Sequence, residues 1–154
     1  MKNTDFTIQE MEVVYLPTKL TSSDESISSS RSAYNVLRQF FNPNTISYQE
    51  ECIVLYLNQA SKIIGAQKLS KGGINATIVD TRIILATALK SLSTAIIISH
   101  NHPSGKLQPS DADQKMTGRL NAACKLLDLA LLDHIILAPE DAYFSFADNG
   151  LITR

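Results

Sequence analysis

Residues 94–113 read TAIIISHNHPSGKLQPSDAD, in which an apolar run leads into a polar segment that holds two of the chain's three histidines. The run TAIIIS is short, continuous and rich in β-branched residues, a pattern typical of a strand that is buried on both faces. After the polar segment, Ser110 is a favoured N-cap, and the pattern predicts a helix from there to about Leu127. The apolar face of that helix is expected to consist of Met116, Leu120, Ala123, Leu126 and Leu127.

The sequence on either side of this stretch alternates between strand and helix patterns. Two further helices are predicted, one at 31–41 with a cap among the serines at 28–30 and an end at NPN (42–44), and one at 81–92. The predicted strands, including the buried run, lie at 7–15, 51–57, 62–69, 76–80, 94–99, 130–137 and 142–146. Strands and helices in this order indicate an α/β fold, here a mixed β-sheet flanked by helices.

The composition is that of one globular domain. The chain has 154 residues, of which 44% are hydrophobic and 19% are charged, so it can build a core and is too apolar for a disordered protein. The formal net charge is −1, and the lysines and arginines are scattered. Because non-specific binding to DNA depends on clustered cations, this balance argues against a DNA-binding surface, although one local patch stays compatible with it.

Targeting signals and cysteine use indicate the cytoplasm. The N-terminal residues MKNTDFTIQE do not have the charged-then-apolar layout of a signal peptide, and no apolar run approaches the ~18 residues of a membrane span. Cys52 and Cys124 lie far apart and form no CxxC pair. We therefore expect a cytoplasmic protein with free thiols and no membrane partner.

His100 and His102 form an i, i+2 pair directly after the buried run, and in extended backbone that spacing points both side chains to the same side. Asp113 lies in the first turn of the following helix. Two imidazoles and a carboxylate are a ligand set for catalytic Zn²⁺, which leaves a fourth position for water. The same residues also allow a simpler interpretation, in which Ser110 and Asp113 form a helix capping box and the histidines are polar loop residues.

The segments HNHPSG (100–105) and PSDAD (109–113) resemble the metal motif of the JAB/MPN (JAMM) metalloproteases, His-x-His, seven residues, Ser, two residues, Asp. LLDHIIL (131–137) and SFADNGL (145–151) make the resemblance closer to the RadC-like branch of that family. It covers roughly residues 48–152, and implies a JAB/MPN domain of the cytidine-deaminase-like fold at 48–154. The strand, loop and helix predicted in residues 1–47 are expected to belong to the same domain.

The resemblance implies a site and a reaction. His100, His102 and Asp113 would hold Zn²⁺, and a metal-bound water would attack an amide bond of a protein or peptide substrate. Ser110 matches the serine that donates to the developing oxyanion, and Glu50, eight positions before Asn58, matches the glutamate that acts as general base.

The neighbouring Glu51 is the alternative general base. Adjacent residues of a strand face opposite sides, so only one of Glu50 and Glu51 can point into the site. The family pattern has an aromatic residue two positions after the glutamate, where this chain has Cys52. His134 is a third imidazole that the motif does not require, and a structural role is expected for it. Asp133 beside it either orients a histidine or caps a strand.

The function predicted from the sequence is thus a zinc metallopeptidase. The alternative is a non-catalytic RadC-like module associated with DNA repair or mobile elements, and a zinc-dependent nuclease is a third interpretation. The helix-hairpin-helix segment that precedes this domain in longer RadC proteins is not expected in these 154 residues. The scattered cations do not favour a DNA partner, and phosphate-binding cations are not clustered beside the motif.

Overall fold

The computed structural model describes residues 26–71 and 79–153. In this part of the chain the helices are α1 (Ser30–Arg38), α2 (Thr81–Lys90) and α3 (Asp111–Leu126). The strands are β1 (Glu51–Leu57), β2 (Ile63–Lys71), β3 (Ala95–Asn101), β4 (Ala130–Leu137) and β5 (Tyr143–Ser145). The strand predicted at 7–15 lies outside the described residues, and of the one predicted at 76–80 only Val79 and Asp80 are described, neither of them in a strand.

The described strands form one mixed sheet in the order β2-β1-β3-β4-β5. β1 is antiparallel to both β2 and β3, β3 is parallel to β4, and β4 is antiparallel to β5. β3 is therefore the central strand, and all seven of its residues are buried. This confirms the predicted fold class and the prediction that the β-branched run is a central strand.

The two faces of β3 carry separate cores, which explains why its apolar run is continuous. On one face Ile97 packs with the apolar side of α1. On the other face Ile96 and Ile98 pack with residues of α2 and α3, among them Leu120. Because alternate residues of a strand face opposite sides, His100 shares the face of Ile96 and Ile98, which is the face that α3 covers.

The helices begin at polar caps. The side chain of Ser29 accepts from a backbone N–H at the start of α1, Asp80 does so at the start of α2, and Ser110 at the start of α3. These contacts satisfy backbone donors that have no partner in the first turn of a helix. All three helix starts fall within a residue or two of the positions that the sequence predicted.

The predicted apolar face of α3 is partly wrong. Leu126 is 87% exposed and Leu127 is 39% exposed, whereas the buried residues of the helix are Thr117, Leu120 and Cys124. The buried stripe follows the i, i+3, i+7 spacing through these three positions, and Leu126, two residues after Cys124, lies on the other side of the helix. Thr117 and Cys124 thus belong to the buried face of α3, although a prediction based on large apolar residues does not include them.

In the described part of the chain, α1, α2 and α3 are all too short or too polar to cross a lipid bilayer.

Candidate metal centre

The two histidines of the motif lie at the carboxyl end of β3. His100 is paired with Cys52 of β1, inside the sheet. The N–H of His102 donates to the carbonyl of Leu137 in β4 at 2.8 Å, so the strand pairing holds this residue as well, although β3 ends one residue earlier. The backbone is therefore held by the sheet through both positions, and the two imidazoles lie on the face that α3 covers.

The loop after His102 turns back on itself. The N–H of Gly105 donates to the carbonyl of His102 at 2.9 Å, and the φ of Gly105 is +76°, a left-handed conformation that glycine adopts readily. A Cβ at this position would lie 3.3 Å from Oε2 of Glu140. The turn brings the carbonyl of Lys106 to 2.5 Å from Nδ1 of His102, which fixes the orientation of that ring.

The side chains of His100, His102 and Asp113 meet in one cluster, with a ligand atom of each within 4.8 Å of the others. The two Nε2 atoms are 2.9 Å apart. Oδ1 of Asp113 is 3.3 Å from Nε2 of His100, and its Oδ2 is 3.6 Å from Nε2 of His102. Two ligands of one tetrahedral zinc ion are roughly 3.3 Å apart, so small adjustments of these side chains would accommodate the ion.

The hydrogen bonds of both histidines direct Nε2 at the cluster. Since the carbonyl of Lys106 can only accept, Nδ1 of His102 must carry the proton, which leaves Nε2 bare. Nδ1 of His100 is 2.7 Å from Nε2 of His134, so a His100 that donates there also has a bare Nε2. Two bare nitrogens next to a carboxylate repel one another unless a cation lies among them, and imidazole ligands suit zinc better than Ca²⁺ or Mg²⁺.

At the start of α3, Ser110 and Asp113 cap the helix, and Asp113 also contributes its carboxylate to the cluster. The N–H and the hydroxyl of Ser110 both donate to Oδ2 of Asp113 at 2.7 Å, while the N–H of Asp113 donates to the hydroxyl oxygen of Ser110 at 3.1 Å. Oδ1 of Asp113 stays directed at His100. The two interpretations of this segment are therefore compatible, because the capping box is what holds the carboxylate against the histidines. The carboxylate of Asp111, two residues earlier in the same helix turn, is exposed.

The charges of the cluster stabilise one another. When the imidazole of His102 is protonated, its Nε2–H can donate to Asp113, and this hydrogen bond raises the pKa of His102 above its ordinary value, against the effect of burial. Burial by itself would raise the pKa of Asp113, but the interactions with His102, His100 and Ser110 outweigh it and hold that pKa well below its usual range. Burial lowers the pKa of His100 to about 4, so this imidazole is neutral at neutral pH. A carboxylate and a neutral imidazole are the protonation states that a metal ion needs.

Glu50 lies directly before β1, within electrostatic reach of the cluster. Burial raises the pKa of its carboxyl group, the charge of His102 lowers it, and the charge of Asp113 raises it. By strand alternation Glu50 shares the face of Cys52, whose pKa its charge helps to raise, and Cys52 is the residue paired with His100. Glu50 thus lies on the cluster's side of the sheet, within electrostatic range of His102 and Asp113.

Glu51 has a different environment. It is 1% exposed, and one of its carboxylate oxygens lies 3.1 Å from Nζ of Lys68 on β2. By alternation it shares the face of Ile53, which belongs to the core on the α1 side of the sheet. Of the two glutamates, the one that faces the cluster is therefore Glu50, and its role as a general base stays a prediction.

Asn101, between the two histidines, holds the segment that carries Glu50. It is fully buried, and its Oδ1 accepts from the N–H of Glu51 at 2.7 Å. Its Nδ2 donates to the carbonyls of Ile46 and Gln49 at 2.8 and 2.9 Å. One side chain thus binds the backbone on both sides of Glu50, and it lies between the two candidate ligands. Asn101 was not among the residues predicted from the sequence, where the available signal is an asparagine at the end of a buried strand.

Two buried polar side chains lie behind His100, namely His134, for which a structural role was expected from the sequence, and Thr117, which no sequence pattern singled out. His134 is fully buried on β4, stacked on Phe146 with ring centroids 4.5 Å apart, and its Nδ1 is 2.6 Å from the hydroxyl of Thr117. That hydroxyl donates to the carbonyl of Asp113 at 2.6 Å. Thr117 follows Asp113 by four residues, so one turn of α3 places both on the same side of the helix. That spacing was the available signal.

Asp133 does not face the cluster. Its Oδ1 accepts from the N–H groups of His134 and Ala147 at 2.7 and 3.0 Å, and its Oδ2 accepts from the hydroxyl of Ser145 at 2.6 Å. Of the two roles considered for it, the observed contacts are those of a group that ties β4 to β5 and to the loop after it.

Comparisons with known proteins agree with this arrangement. The sequence model of a family described as "RadC-like JAB domain" matches residues 27–151. A UPF0758 protein of Porphyromonas gingivalis is 44% identical over 137 residues, which cover 89% of this chain and 59% of that protein. A UPF0758 protein of Flavobacterium johnsoniae is 40% identical over 127 residues, 82% of this chain and 54% of that protein. The chain spans somewhat more than half the length of these curated relatives.

Replacement of Asn101 by alanine should destabilise the fold. Asn101→Ala removes three hydrogen bonds to the backbone around Glu50 and takes the acceptor from the buried N–H of Glu51, so we expect the free energy of unfolding to fall by about 2–4 kcal/mol in urea denaturation. The control is Asn44→Ala at an exposed position, with an expected change of about 0.5 kcal/mol or less. A loss below about 1 kcal/mol for Asn101→Ala would show that its three hydrogen bonds do not hold the segment around Glu50.

The metal-free protein should lose stability as the pH falls from about 6.5 to about 5. The pKa of His100 is lowered to about 4 and that of His134 is also lowered by burial, so the unfolded chain binds more protons in this range. Each histidine should contribute about 1–2 kcal/mol to the loss. The raised pKa of His102 acts only above about 6.5, where its contribution is lost as the pH rises.

Urea denaturation in the presence of a chelator, at about pH 6.5 and about pH 5, measures this change. The raised pKa of Glu50 opposes it, so the comparison with His134→Gln is needed to isolate the histidine contribution. That variant should show a smaller loss between the two pH values than the wild-type protein. An equal or larger loss in His134→Gln would contradict the assignment of the effect to buried neutral imidazoles.

Proposed function

The chain belongs to the family of RadC-like JAB domains, and from that premise we propose that it is a zinc-dependent hydrolase that cleaves a peptide or isopeptide bond. The observation that carries the proposal is the convergence of two imidazoles and a carboxylate, with ligand atoms within 4.8 Å of one another and with Glu50 within electrostatic range of two of them. Three protein ligands leave the fourth coordination position of a zinc ion open for a reactant. This open position distinguishes catalytic zinc sites from structural ones.

The residues of the chain would divide the work between binding and proton transfer. His100, His102 and Asp113 would hold the ion, and a zinc ion in such a site lowers the pKa of a bound water to about 7. Glu50 would accept a proton from the attacking water and deliver it to the departing amine. Its half-buried position raises its pKa, which brings the carboxyl group closer to the pH at which it must both take up and release a proton.

Ser110 is proposed to stabilise the negative charge that develops on the carbonyl oxygen of the substrate. Its hydroxyl donates to Oδ2 of Asp113, so it must rotate to donate to a substrate. The N–H of Ser110 keeps its own hydrogen bond to Oδ2 when the hydroxyl turns, and the cap therefore stays partly formed. An added hydrogen bond to the developing charge lowers the barrier.

A role in DNA binding is the alternative, and the charges of the described residues support it less. Arg31, Lys68 and Arg82 each lie within 4.0 Å of a carboxylate, which reduces the positive potential that phosphate groups would meet. A gel-shift titration with salt separates the alternatives, since a steep loss of binding with rising salt would favour the DNA-binding module.

The protein should bind about one zinc ion per chain through the clustered side chains. We expect His102→Ala and Asp113→Ala to lower the zinc affinity at least about 100-fold, because each removes a ligand. Asp111→Ala is the matched control, since it removes an exposed carboxylate from the same helix turn and should leave the affinity unchanged. Elemental analysis and competition with a chelator measure both. Zinc retained by His102→Ala and Asp113→Ala would contradict the proposed site.

Activity is tested separately with Glu50→Gln, which should keep zinc and lose hydrolysis. The zinc-loaded protein is incubated with a library of peptides that carry main-chain and lysine-linked amide bonds, and new ends are identified by mass spectrometry. Loss of the general base should lower the rate of hydrolysis by about 10²–10⁴-fold. The matched control Glu51→Gln leaves the carboxylate of Glu50 in place and should therefore retain hydrolysis. Hydrolysis that is unchanged in Glu50→Gln would show that this residue is not the base.

A further inference from the structure

We propose that Thr117 is a positioning residue, whose hydroxyl acts through His134 to keep the proton of His100 on Nδ1 and its Nε2 bare. The inference rests on the proposed function insofar as the bare Nε2 is the atom that would bind the ion. It assigns a role to a buried threonine on α3 that is not itself part of the ligand cluster.

Four groups form a continuous chain of short hydrogen bonds behind the cluster. The carbonyl oxygen of Asp113 is 2.6 Å from the hydroxyl of Thr117, which is 2.6 Å from Nδ1 of His134. Nε2 of His134 is 2.7 Å from Nδ1 of His100. Thr117 is 2% exposed, His134 0% and His100 4%, so water does not compete for these contacts. The chain starts at the backbone of one candidate ligand and ends at the ring of another.

The direction of every hydrogen bond in this chain follows from the carbonyl at its start. A carbonyl oxygen has no proton, so the single hydroxyl proton of Thr117 must point to Asp113. The hydroxyl oxygen is then the acceptor for His134, which must carry its proton on Nδ1. A neutral imidazole has only one N–H, so Nε2 of His134 accepts, and Nδ1 of His100 is the donor.

The neutral state of His134 follows from its surroundings. The ring is fully buried and stacked on Phe146, and its two nitrogens contact a hydroxyl and another imidazole. Among the described residues that touch the ring, neither Thr117 nor Phe146 carries a charge that would stabilise an imidazolium. A buried cation without a partner is unfavourable, so the one-proton argument applies.

Without the threonine hydroxyl the other tautomer of His100 becomes accessible. His134 could then carry its proton on Nε2 and donate to Nδ1 of His100. The proton of His100 would move to Nε2, where Oδ1 of Asp113, 3.3 Å away, attracts it. A protonated Nε2 cannot bind a metal ion. The hydroxyl of Thr117 therefore opposes a tautomer that the carboxylate of the cluster itself favours.

A hydrogen bond from a threonine to the carbonyl four residues earlier is common in helices and needs no functional explanation. The second contact of this hydroxyl, with His134, is what distinguishes Thr117 from such a residue. Orientation of a metal-binding imidazole through its other nitrogen is typical of metal sites, where loss of the partner lowers metal affinity by about 10–100-fold. We expect a loss in that range here.

The test compares Thr117→Val, which keeps the shape and removes the hydroxyl, with Thr117→Ser, which keeps the hydroxyl. Zinc affinity is measured by chelator competition, and the tautomer of His100 by ¹⁵N NMR of the metal-free protein. Thr117→Val should lower the affinity about 10–100-fold and populate the Nε2–H form of His100, whereas Thr117→Ser should resemble the wild type. Wild-type affinity and an unchanged Nδ1–H tautomer in Thr117→Val would overturn the proposal.

A second variant distinguishes an effect of the hydrogen-bond chain from an effect of local packing. It keeps the proposal testable even when Thr117→Val lowers the stability of the protein. In His134→Gln the amide oxygen replaces Nε2 as acceptor and the link to the hydroxyl is broken. Adding Thr117→Val to this background should change the zinc affinity less than about twofold. The same loss in both backgrounds would show that the effect of Thr117 does not pass through His134.

The two proposals fail in different measurements. A wild-type protein that binds no zinc or hydrolyses no amide would contradict the proposed function. The ¹⁵N spectra of the metal-free wild type, Thr117→Ser and Thr117→Val report the tautomer without zinc or substrate, so a shift in the valine variant supports the role of Thr117 in either case. The absence of that shift overturns it even if the protein is an active hydrolase.

Discussion

The capping box between Ser110 and Asp113 is the interaction on which the candidate site depends. It fixes the first turn of α3, and in doing so holds the carboxylate of Asp113 against the two histidines at the end of β3. The N–H and hydroxyl of Ser110 use Oδ2, which leaves Oδ1 facing His100. The same pair of residues therefore starts the helix and completes the cluster, so helix stability and site geometry cannot be varied independently.

The central strand supplies the other half of the arrangement. Its alternation places His100 on the α3 face and Asn101 on the α1 face, where the amide binds the backbone on both sides of Glu50. Consecutive residues of one strand thus carry a candidate ligand and the group that positions the candidate base. Behind His100, a second polar contact through His134 reaches back to α3. His100 is thus held by a buried partner from another strand, and the backbone around Glu50 is held by the buried amide of Asn101.

Local patterns in the sequence predicted the elements and the clustered residues, because caps, strand alternation and the spacing of the motif act over a few residues. Asn101 contacts Glu51, which lies 50 residues away in the sequence, and His134 contacts His100, which lies 34 residues away. No local pattern in the sequence encodes such long-range pairs. The exposed Leu126 shows the opposite error, since a leucine near the end of a helix does not by itself mark the buried face, which here runs through Thr117 and Cys124.

A crystal structure of the zinc-loaded protein shows directly whether these residues form one metal site. We expect one ion bonded to Nε2 of His100, Nε2 of His102 and a carboxylate oxygen of Asp113. We also expect the carboxylate of Glu50 on the open side of the ion, within hydrogen-bonding distance of a bound water. An ion held through Nδ1 of either histidine, an ion bound elsewhere, or a Glu50 side chain turned away from it would contradict the proposed site.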